Sequence, residues 1–501
     1  MSQKSLAAVA GAIVLTTLTF SVAGVAGAEG LARENPTAAI VASEAITAIP
    51  EFGHPGVVIP KSFPGISVEY GGSLEDLFNK VRLPITSRLL NRLGRLQGAP
   101  VLRIGGNSED QAVWNLPALH SRPAGDMINL TKRVARMLRA VAVGTGGKLI
   151  LGVNFGRGTA AMARPWMRNA IDIIGKRHIL AFEIGNEPDL YNYNTMRPHS
   201  YNVRDYFRQW NGFASNVQSL LPQPRMLAGP AFCSVWRRYT PEFIQQQHRR
   251  LALVTMHEYP LGAPIRNRRS PRFASIANLL KNSSSAVFAR LIRSSESAGR
   301  RYDIPVRFAE INSAYGGGKA GVSNVFAASL WSLDTMFEVA STGCAGVNFH
   351  TGPRYGAFWS FHHNGVRVLP LYYGMLMFAQ AAPPGARIIP VAYHCKANVK
   401  IWMTVDRHRE VRVVLINKSL HRNVIVALKL AHSQTGQLEY LTARSISSQK
   451  RIYIGGQSFD GVHDGILHGH RRVTMASAAH GIFTIRLHHA SAVLMTARRN
   501  D

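Results

Sequence analysis

The sequence Ala181-Phe-Glu-Ile-Gly-Asn-Glu-Pro-Asp189 describes a buried strand that ends abruptly beside a carboxylate. Its apolar start is typical of a strand in the interior of a parallel sheet. Pro188 cannot donate to a sheet ladder, so the strand must end before it. We therefore expect the side chain of Glu187 to project from the carboxyl end of this strand.

A second stretch, Arg307-Phe-Ala-Glu-Ile-Asn-Ser-Ala-Tyr-Gly-Gly-Gly318, has the same character. Glu310 ends its apolar run, and three consecutive glycines cannot continue a strand. Glu187 and Glu310 lie 123 residues apart in sequence (310 − 187). A (β/α)8 barrel gathers the carboxyl ends of its strands, and its catalytic groups, at one face. Two carboxylates that face each other across a cleft are the equipment of a glycoside hydrolase.

Strand-like and helix-like segments alternate through the region that contains both glutamates. The predicted strands are apolar runs near residues 65–69, 101–105, 148–153, 179–184, 225–228, 253–256, 306–310 and 345–349. Between them apolar residues recur at helical spacing, including one long pattern over 273–298. Ser323 is the expected N-cap of the helix before the last strand. Eight strand–helix pairs in order predict an α/β fold, a (β/α)8 TIM barrel, over residues 61–382.

After Pro383-Pro-Gly385 the period of the pattern changes. Apolar residues alternate every second position over 411–417, 423–430, 451–454 and 481–487, as in an antiparallel sandwich. We therefore predict an additional all-β sandwich domain over 383–501. The alternating segments within 29–60 have no partner in a barrel, and we expect them to contribute strands to the sandwich.

Residues 1–28 predict export. They carry one positive charge at Lys4, then an uncharged stretch, then Ala26-Gly27-Ala28, which is the pattern of a secretory signal peptide. Cleavage would leave a secreted, periplasmic or cell-envelope protein without a membrane span. Retention of the segment as an anchor is the alternative, because it is long enough to cross a bilayer.

The chain is strongly basic, with 58 Lys and Arg against 28 Asp and Glu and a formal net charge of +30. Such a charge predicts attraction to polyanions such as acidic polysaccharide; solubility alone is the other interpretation. No zinc-finger spacing or aromatic RNA-binding box is present, so nucleic acid is disfavoured. The three cysteines, Cys233, Cys344 and Cys395, lack metal-ligand spacing. They predict no disulfide framework, although one pair could form after export.

The residues around the two glutamates give the pair its chemical meaning. Asn186 offers an amide to a sugar 2-hydroxyl. Tyr259 is expected to reach Glu310, and Arg103 to keep Glu310 ionised, because a nearby cation lowers a carboxyl pKa. Glu187 must instead stay protonated near neutral pH. With both assignments the site is a retaining one, whose carboxyl groups stand about 5–5.5 Å apart.

Segments 182–189 and 310–318 closely resemble the two catalytic segments of glycoside hydrolase family 79, which contains heparanase and β-glucuronidases. Arg103-Ile-Gly-Gly-Asn-Ser-Glu-Asp110 and Phe63-Pro-Gly-Ile-Ser-Val-Glu69 look like its substrate-hydroxyl segments. A Gly-Asn-Glu-Pro tetrapeptide occurs in a large clan of barrel glycosidases. Ser-Ala-Tyr-Gly-Gly-Gly after a glutamate is more specific.

The resemblance implies a role for each matched residue. Glu187 resembles the acid/base and Glu310 the nucleophile, with neither a metal nor an organic cofactor. Asp110 and Glu69 look like the acceptors for the sugar 3- and 4-hydroxyls, and Tyr315, Gly316 and Gly317 resemble the loop that recognises the sugar carboxylate. Beside these residues, we expect Arg103, Asn107 and His257 to support the site. Successive glycine amides form a concavity suited to an anion.

One departure from the heparanase-type pattern concerns Asn348-Phe349-His350, where those members have Asn-Tyr-His. The missing hydroxyl, and the lack of an insertion resembling the excised heparanase linker, favour a single-chain exo enzyme. The resemblance thus implies a secreted retaining exo-β-glucuronidase that acts on a glucuronic-acid-containing glycoside. The alternatives are a heparanase-like endo-β-glucuronidase on acidic polysaccharides and a non-catalytic, polyanion-binding envelope protein.

Overall fold

The computed structural model describes residues 44–119, 123, 125–362 and 365–500. The predicted signal peptide at 1–28, and the N-terminal segment as far as residue 43, lie outside the described residues. Within the described ranges, no helix is both long enough and apolar enough to cross a membrane. Cys233, Cys344 and Cys395 are free thiols.

Eight parallel strands close into a barrel in which neighbours in space are neighbours in sequence. In chain order they are Pro64–Val68, Val101–Ile104, Lys148–Val153, Ile179–Ile184, Leu227–Phe232, Leu251–Glu258, Val306–Ile311 and Val347–His350. Nearly every residue in these strands is buried, as expected where helices cover a parallel sheet. The predicted (β/α)8 TIM barrel with an additional β domain is confirmed.

The helices pack their apolar stripes against this barrel. Thr131 caps one helix by accepting the amide of Val134, and Gly146 ends it in the left-handed conformation. The α-helices of the described chain are Gly72–Phe78, Leu83–Gln97, Lys132–Thr145, Ala160–Ile174, Val203–Val217, Thr240–Gln247, Ile276–Leu279, Asn282–Arg301, Phe326–Ala340 and Pro370–Ala381.

Two local predictions are wrong. The long helical pattern over 273–298 forms two helices, Ile276–Leu279 and Asn282–Arg301. Ser323 does not cap the next helix, which begins at Phe326. The Ser323 hydroxyl instead accepts the Lys319 amide at 3.0 Å, which fixes the loop before the helix.

The β domain consists of two sheets. One contains four strands, in the order Val391–Ala392, Glu44–Pro50, Val424–Lys429 and Ile482–Leu487. The other contains Val57–Val58, Arg387–Ile389, Val399–Val405, Glu410–Asn417, Ser491–Arg498, Thr435–Ala443, Ile452–Ile454 and the side strand Thr474–Ser477. The two strands from the N-terminal segment therefore pair with strands that follow the barrel in sequence.

A buried polar contact joins this domain to barrel helix Phe326–Ala340. Asp334 accepts hydrogen bonds from Lys418 Nζ at 2.6 Å and from Trp402 Nε1 at 2.9 Å. On the same helix, Glu338 accepts Lys400 Nζ at 2.6 Å. Because both lysines lie on or beside sandwich strands, these contacts fix the β domain against the barrel.

Candidate active site

Glu187 stands just beyond the carboxyl end of strand Ile179–Ile184. Its backbone is left-handed (φ 48°), and it caps a short 3-10 turn, Pro188–Leu190. A non-glycine residue adopts this conformation at a cost, which here turns the chain sharply after the strand. The Glu187 carboxylate Oε1 lies 3.1 Å from His257 Nδ1, and its side chain is 15% exposed. The carboxyl group is therefore accessible but held in one direction.

The surroundings of Glu187 favour its protonated form. Burial raises the pKa of the Glu187 carboxyl above its usual range, and the negative charge of Glu310 acts in the same direction. The hydrogen bond from His257 and its charge oppose this shift. The net direction is upward, as a general acid requires.

Glu310 lies within strand Val306–Ile311 and is bound by three neighbours. Its Oε2 accepts Arg103 Nη1 at 2.6 Å, and its Oε1 accepts the Tyr259 hydroxyl at 2.7 Å. His350 Nδ1 lies 3.5 Å from Oε2. Burial alone would raise the pKa of Glu310, but the charges of His350, His257 and Arg103 outweigh it and lower the pKa to about 2. The carboxylate is therefore ionised at every physiological pH.

The two glutamates face each other at short range. One oxygen of Glu187, one oxygen of Glu310 and one ring nitrogen of His257 all lie within 4.8 Å of one another. Carboxyl groups about 5–5.5 Å apart are typical of retaining glycosidases, whereas inverting enzymes need about 6.5–9.5 Å to admit a water. Two carboxylates this close, with pKa values shifted in opposite directions, can serve as acid and nucleophile.

The same three side chains are the described residues whose ligand atoms lie close enough together to hold a metal ion. The Arg103 guanidinium already occupies one oxygen of Glu310 at 2.6 Å. A second cation at this point would meet its repulsion. The electrostatics of the trio thus favour proton and glycosyl transfer over metal binding.

Arg103 is the hub of the barrel interior and is fully buried. Besides Glu310, it donates Nε to Glu183 at 2.6 Å and Nη2 to Glu109 at 3.0 Å. Nη2 also donates to Asn186 Oδ1 at 2.9 Å. One guanidinium therefore binds three buried carboxyl groups and orients Asn186, the residue before Glu187. Burial raises the pKa of the Glu109 carboxyl well above its usual range, which favours its protonated form. The sequence alone predicts only the contact between Arg103 and Glu310.

Asn107 and Asn186 meet above this hub. The Asn186 side-chain amide donates to Asn107 Oδ1 at 3.1 Å. The backbone amide of Asn107 donates to Glu69 at 3.2 Å, and that of Ser108 donates to the same carboxylate at 2.9 Å. The Glu69 side chain remains 26% exposed, with His350 Nε2 3.5 Å away. Glu69 can therefore still accept a hydrogen bond from a sugar hydroxyl.

Asp110, the other expected hydroxyl acceptor, is enclosed. It is 1% exposed. Its Oδ1 accepts the amides of Phe155 and Gly156 at 3.1 and 2.7 Å, and its Oδ2 accepts the Asn186 amide and the Tyr191 hydroxyl at 3.3 and 2.7 Å. Burial raises its pKa to about 6. In this arrangement Asp110 fixes the backbone beside Glu187, and a sugar hydroxyl would have to displace one of its four donors.

The glycine turn that follows Glu310 has an unusual backbone. Gly316, Gly317 and Gly318 are all left-handed, with φ values of 78°, 81° and 75°. Gly316 and Gly317 are exposed. No described residue accepts a hydrogen bond from the amides of these three glycines. Successive unpaired N–H groups in such a turn form a concavity that suits an anion.

Contacts with neighbouring loops attach this turn to the nucleophile. Tyr315 pairs with Gly262, where a Cβ atom would come within 2.5 Å of the Tyr315 ring. The Arg272 guanidinium lies 5.4 Å from the centroid of that ring and donates to the Tyr259 carbonyl at 2.9 Å. Tyr259 in turn binds Glu310. The predicted carboxylate turn and the predicted nucleophile therefore belong to one connected wall.

Three residues of this wall were not assigned from the sequence. Tyr355 packs against Gly318, with its ring centroid 5.8 Å from that of His350. His350 bridges Glu310 and Glu69, and Arg272 holds Tyr315. A signal existed for Arg272, because residues 259–295 contain no acidic side chain and hold a cluster of arginines. Nothing in the sequence pattern singled out Tyr355.

The hydroxyl that is missing at Phe349 was interpreted as a sign of the enzyme's substrate preference, and this interpretation is wrong. Its side chain is fully buried, with its ring 6.1 Å from that of Trp331 on helix Phe326–Ala340. Alternate residues of a strand point to opposite faces, so Asn348 and His350 face the barrel interior and Phe349 faces the helices. A hydroxyl at position 349 would not reach the site, and its absence is no argument about the substrate.

His257 should control the alkaline limit of activity. Because His257 lowers the pKa of Glu187, His257→Leu should raise that pKa further and extend the protonated range of Glu187. The alkaline limb of kcat/KM against pH should therefore move to higher pH. The acid limb should remain at low pH, since Arg103 and His350 still hold Glu310. An unchanged or lower alkaline limb would contradict the assignment of Glu187 as the acid.

Comparison with known proteins adds to this geometry. Residues 402–494 match the glycosyl hydrolase family 79 C-terminal beta domain. A β-glucuronidase of Aspergillus niger is 25% identical over 370 residues, covering 66% of this chain and 66% of that protein. A β-glucuronidase of Neurospora crassa is 26% identical over 343 residues, covering 60% of this chain and 59% of that protein. The matched regions thus span just under two thirds of these relatives.

Solved structures share the fold. A 4-O-α-L-rhamnosyl-β-D-glucuronidase from Fusarium oxysporum 12S, solved with Rha-GlcA, superposes with a TM-score of 0.75 at 19% identity, covering 90% of this chain and all of that one. A family 51 arabinofuranosidase from Xanthomonas axonopodis pv. citri gives 0.66 at 12% identity, covering 91% of this chain and all of that one. These likenesses show the barrel and its β domain.

Proposed function

The chain belongs to glycoside hydrolase family 79, and on that premise we propose that it is a retaining exo-β-glucuronidase. It would release terminal β-linked glucuronic acid by double displacement. The observation that carries the proposal is the facing pair of Glu187 and Glu310, with oxygens within 4.8 Å and pKa values shifted in opposite directions. The names of the A. niger and N. crassa relatives support the choice of sugar.

In the first step the ionised Glu310 attacks the anomeric carbon while Glu187 gives its proton to the departing oxygen. The glycosidic C–O bond breaks, the aglycone leaves as an alcohol, and the sugar becomes esterified to Glu310. Tyr259 and Arg103 keep the Glu310 carboxylate in place, each through one oxygen. Asn186, held by Arg103, is directed toward the 2-hydroxyl.

In the second step Glu187 acts as a general base, whereas it acts as a general acid in the first. Esterified Glu310 no longer carries the negative charge that helps to raise the pKa of Glu187, and Glu187 has already given up its proton, so it can accept one from water. The water oxygen attacks the anomeric carbon and the ester bond to Glu310 breaks. Glucuronic acid leaves with its original β configuration, and both carboxyl groups return to their starting states.

The carboxylate of the sugar would be recognised by the glycine turn. The exposed amides of Gly316 and Gly317 supply donors, and the Tyr315 hydroxyl supplies a third. Arg272 adds a positive charge behind the Tyr315 ring. This arrangement distinguishes a glucuronide from a glucoside, which carries an uncharged CH₂OH at the same position.

A panel of aryl β-glycosides that differ only at C6 tests the proposal. We expect the glucuronide to be cleaved with a much higher kcat/KM than the glucoside or the galacturonide. A preference for the glucoside would refute the choice of substrate while leaving the two-glutamate mechanism in place.

Tyr315→Phe should impair glucuronide hydrolysis selectively. Loss of one hydrogen bond to a charged group costs about 1.5–3 kcal/mol, or about 10- to 150-fold in kcat/KM. The matching glucoside should lose far less, because it has no carboxylate to bind. The ratio of the two kcat/KM values is the measurement. Equal losses on both substrates would remove Tyr315 from the carboxylate site.

An endo-β-glucuronidase that cleaves acidic polysaccharides internally is the rival within enzymes. An exo enzyme should cleave an aryl β-glucuronide readily and shorten a size-defined polysaccharide only from its end. An endo enzyme should lower the average chain length of the polysaccharide at once. Size-exclusion chromatography during the first few per cent of bond cleavage separates the two cases.

Export is the remaining part of the proposal. It depends on residues 1–28, whose charge pattern is that of a signal peptide. Mass spectrometry of the protein collected outside the cytoplasm should give an N terminus at or near Glu29. A chain recovered only with its first residues intact would favour a retained anchor or no export.

A further inference from the structure

A pocket lined by arginines lies on the β domain and shares no residue with the active site. It is an open cavity of about 450 Å³. Its lining residues are Arg407, His408, Arg409, Arg498, Arg499 and Asn500. They come from the turn between strands Val399–Val405 and Glu410–Asn417 and from the end of strand Ser491–Arg498. Pairing of Glu410 with Arg498, and of the Arg499 amide with the Arg409 carbonyl at 3.2 Å, brings them together.

Two acidic residues beside this pocket share one arginine that does not line it. Asp406 binds Arg412 Nη1 at 3.0 Å, and Glu410 binds Nη2 of the same guanidinium. Asp501, which follows Asn500, lies outside the described residues. Counting it, five arginine side chains still face three acidic ones at 406–412 and 498–501. Arginine side chains therefore outnumber acidic ones by two in these segments, which leaves an excess of positive side-chain charge around the pocket.

We propose that this basic pocket is a second carbohydrate-binding site, which takes a carboxylate- or sulfate-bearing segment of an acidic polysaccharide. Guanidinium groups suit such anions because their donors form a fork that matches carboxylate and sulfate oxygens. Its volume lies within the range of ordinary ligand sites. Asn500 and His408 add polar groups for sugar hydroxyls, and His408 Nε2 is already oriented by Arg407 Nε at 3.0 Å.

The lining disfavours the other common polyanions. Single-stranded nucleic acid binds proteins largely by stacking its bases on aromatic side chains. Phe, Tyr and Trp are absent from the lining residues. Stable membrane binding takes a second, apolar signal beside a basic patch, and the lining contains no apolar side chain. The Arg499 guanidinium lies 4.0 Å from the Phe52 ring, but that contact anchors the arginine from behind.

The test compares two triple variants of the full chain. The pocket variant carries Arg407→Gln, Arg409→Gln and Arg498→Gln. The control carries Lys132→Gln, Arg136→Gln and Lys176→Gln, which remove the same charge from exposed barrel positions. The probes are a polygalacturonate of defined length, a sulfated galactan, neutral dextran and a single-stranded oligonucleotide. None contains glucuronate, so binding does not depend on the proposed catalytic activity.

We expect the unmodified chain to bind both acidic polysaccharides in calorimetry at about 0.1 M salt and not to bind dextran. The pocket variant should bind at least about tenfold more weakly and with a smaller salt dependence, whereas the control should change less than about threefold. Equal loss in the two variants, or tighter binding of the oligonucleotide, would overturn the proposal. Hydrolysis of an aryl β-glucuronide should be the same in all three proteins, which separates this test from that of the active site.

If the pocket variant unfolds at a lower temperature, Arg407→Gln alone provides the measurement. Arg407 lies at an exposed turn and donates Nε to its neighbour His408. A threefold or larger loss of polygalacturonate affinity in this variant would support the site. No loss in a fully folded Arg407→Gln protein would count against it.

Discussion

Glu310→Ala is expected to lower kcat/KM for an aryl β-glucuronide by about 10⁴-fold or more, because the nucleophile and its charge are both lost. Added azide should restore turnover. The alanine leaves space on the face that the carboxylate occupied, and azide can attack the anomeric carbon once from that face. A single displacement inverts the configuration, so the product should be the α-glucuronyl azide.

Glu187→Ala should behave differently with the same reagents. An activated aryl leaving group departs without an acid, so the sugar still becomes esterified to Glu310. Azide then attacks this ester from the Glu187 side, and two displacements give the β-glucuronyl azide. The configuration of the two azides, measured by NMR, therefore assigns the two glutamates independently. If Glu310→Ala gave the β-azide and Glu187→Ala the α-azide, Glu187 would be the nucleophile and Glu310 the acid.

Glu338→Gln is the matched control for both variants. Glu338 is also a buried glutamate bound by a cation, Lys400, but it lies at the contact between the barrel and the β domain. The kcat/KM of the Glu338→Gln variant should remain within a few-fold of that of the unmodified chain. If Glu187→Gln and Glu310→Gln were equally harmless in every assay, the chain would be a non-catalytic relative and the proposed function would fail.

Arg103→Met should destabilise the whole protein. The substitution leaves Glu109, Glu183 and Glu310 buried without their shared cation. Breaking a buried ion pair on one side costs about 3–5 kcal/mol in the free energy of unfolding, and three carboxylates lose a partner here. Chemical denaturation at neutral pH should show a loss at the upper end of this range or above it.

The loss in Arg103→Met should depend on pH in a defined direction. Burial already raises the pKa of Glu109 well above its usual range, and loss of the guanidinium should raise it further and remove one of the charges that lower the pKa of Glu310. The folded state then binds more protons than the unfolded state, so stability falls as pH rises through the acid range. The deficit should be smaller near pH 4.5 than near pH 7.5. A deficit independent of pH would mean that Arg103 acts by packing alone.

Arg307→Met is a useful comparison for that experiment. Arg307 is also buried in the barrel, but its partners are the Asn348 side chain and backbone carbonyls. Its removal leaves no carboxylate unpaired. The substitution should destabilise the protein without the pH dependence expected of Arg103→Met.

The barrel could be predicted because glycine, proline or polar residues mark the end of most of its strands. Strand Ile179–Ile184 and strand Lys148–Val153 fall where the apolar runs and the following breakers place them. The fifth strand extends to Phe232, four residues beyond its predicted end at 228, because Gly229 and Pro230 stay in register with the sixth strand. A proline ends a strand only where its missing N–H is needed.

The contacts around Arg103 could not be predicted residue by residue. Glu109 and Glu183 lie on different elements, and only the closed barrel brings them to one guanidinium. The orientation of Phe349 was within reach of the sequence, since alternation along its strand sends it to the face opposite His350. The contact between Arg272 and the Tyr315 ring forms only because the loop that contains Arg272 folds back toward Tyr315. No local sequence pattern predicts the path of that loop.

The most direct test of the central claim is the configuration of the sugar when it is first released. Proton NMR of early hydrolysis of an aryl β-glucuronide resolves the two anomers before they interconvert. Glu187 and Glu310, with oxygens within 4.8 Å of each other, predict that β-glucuronic acid appears first and the α anomer only later, by mutarotation. Initial release of the α anomer would contradict the double displacement on which the account depends.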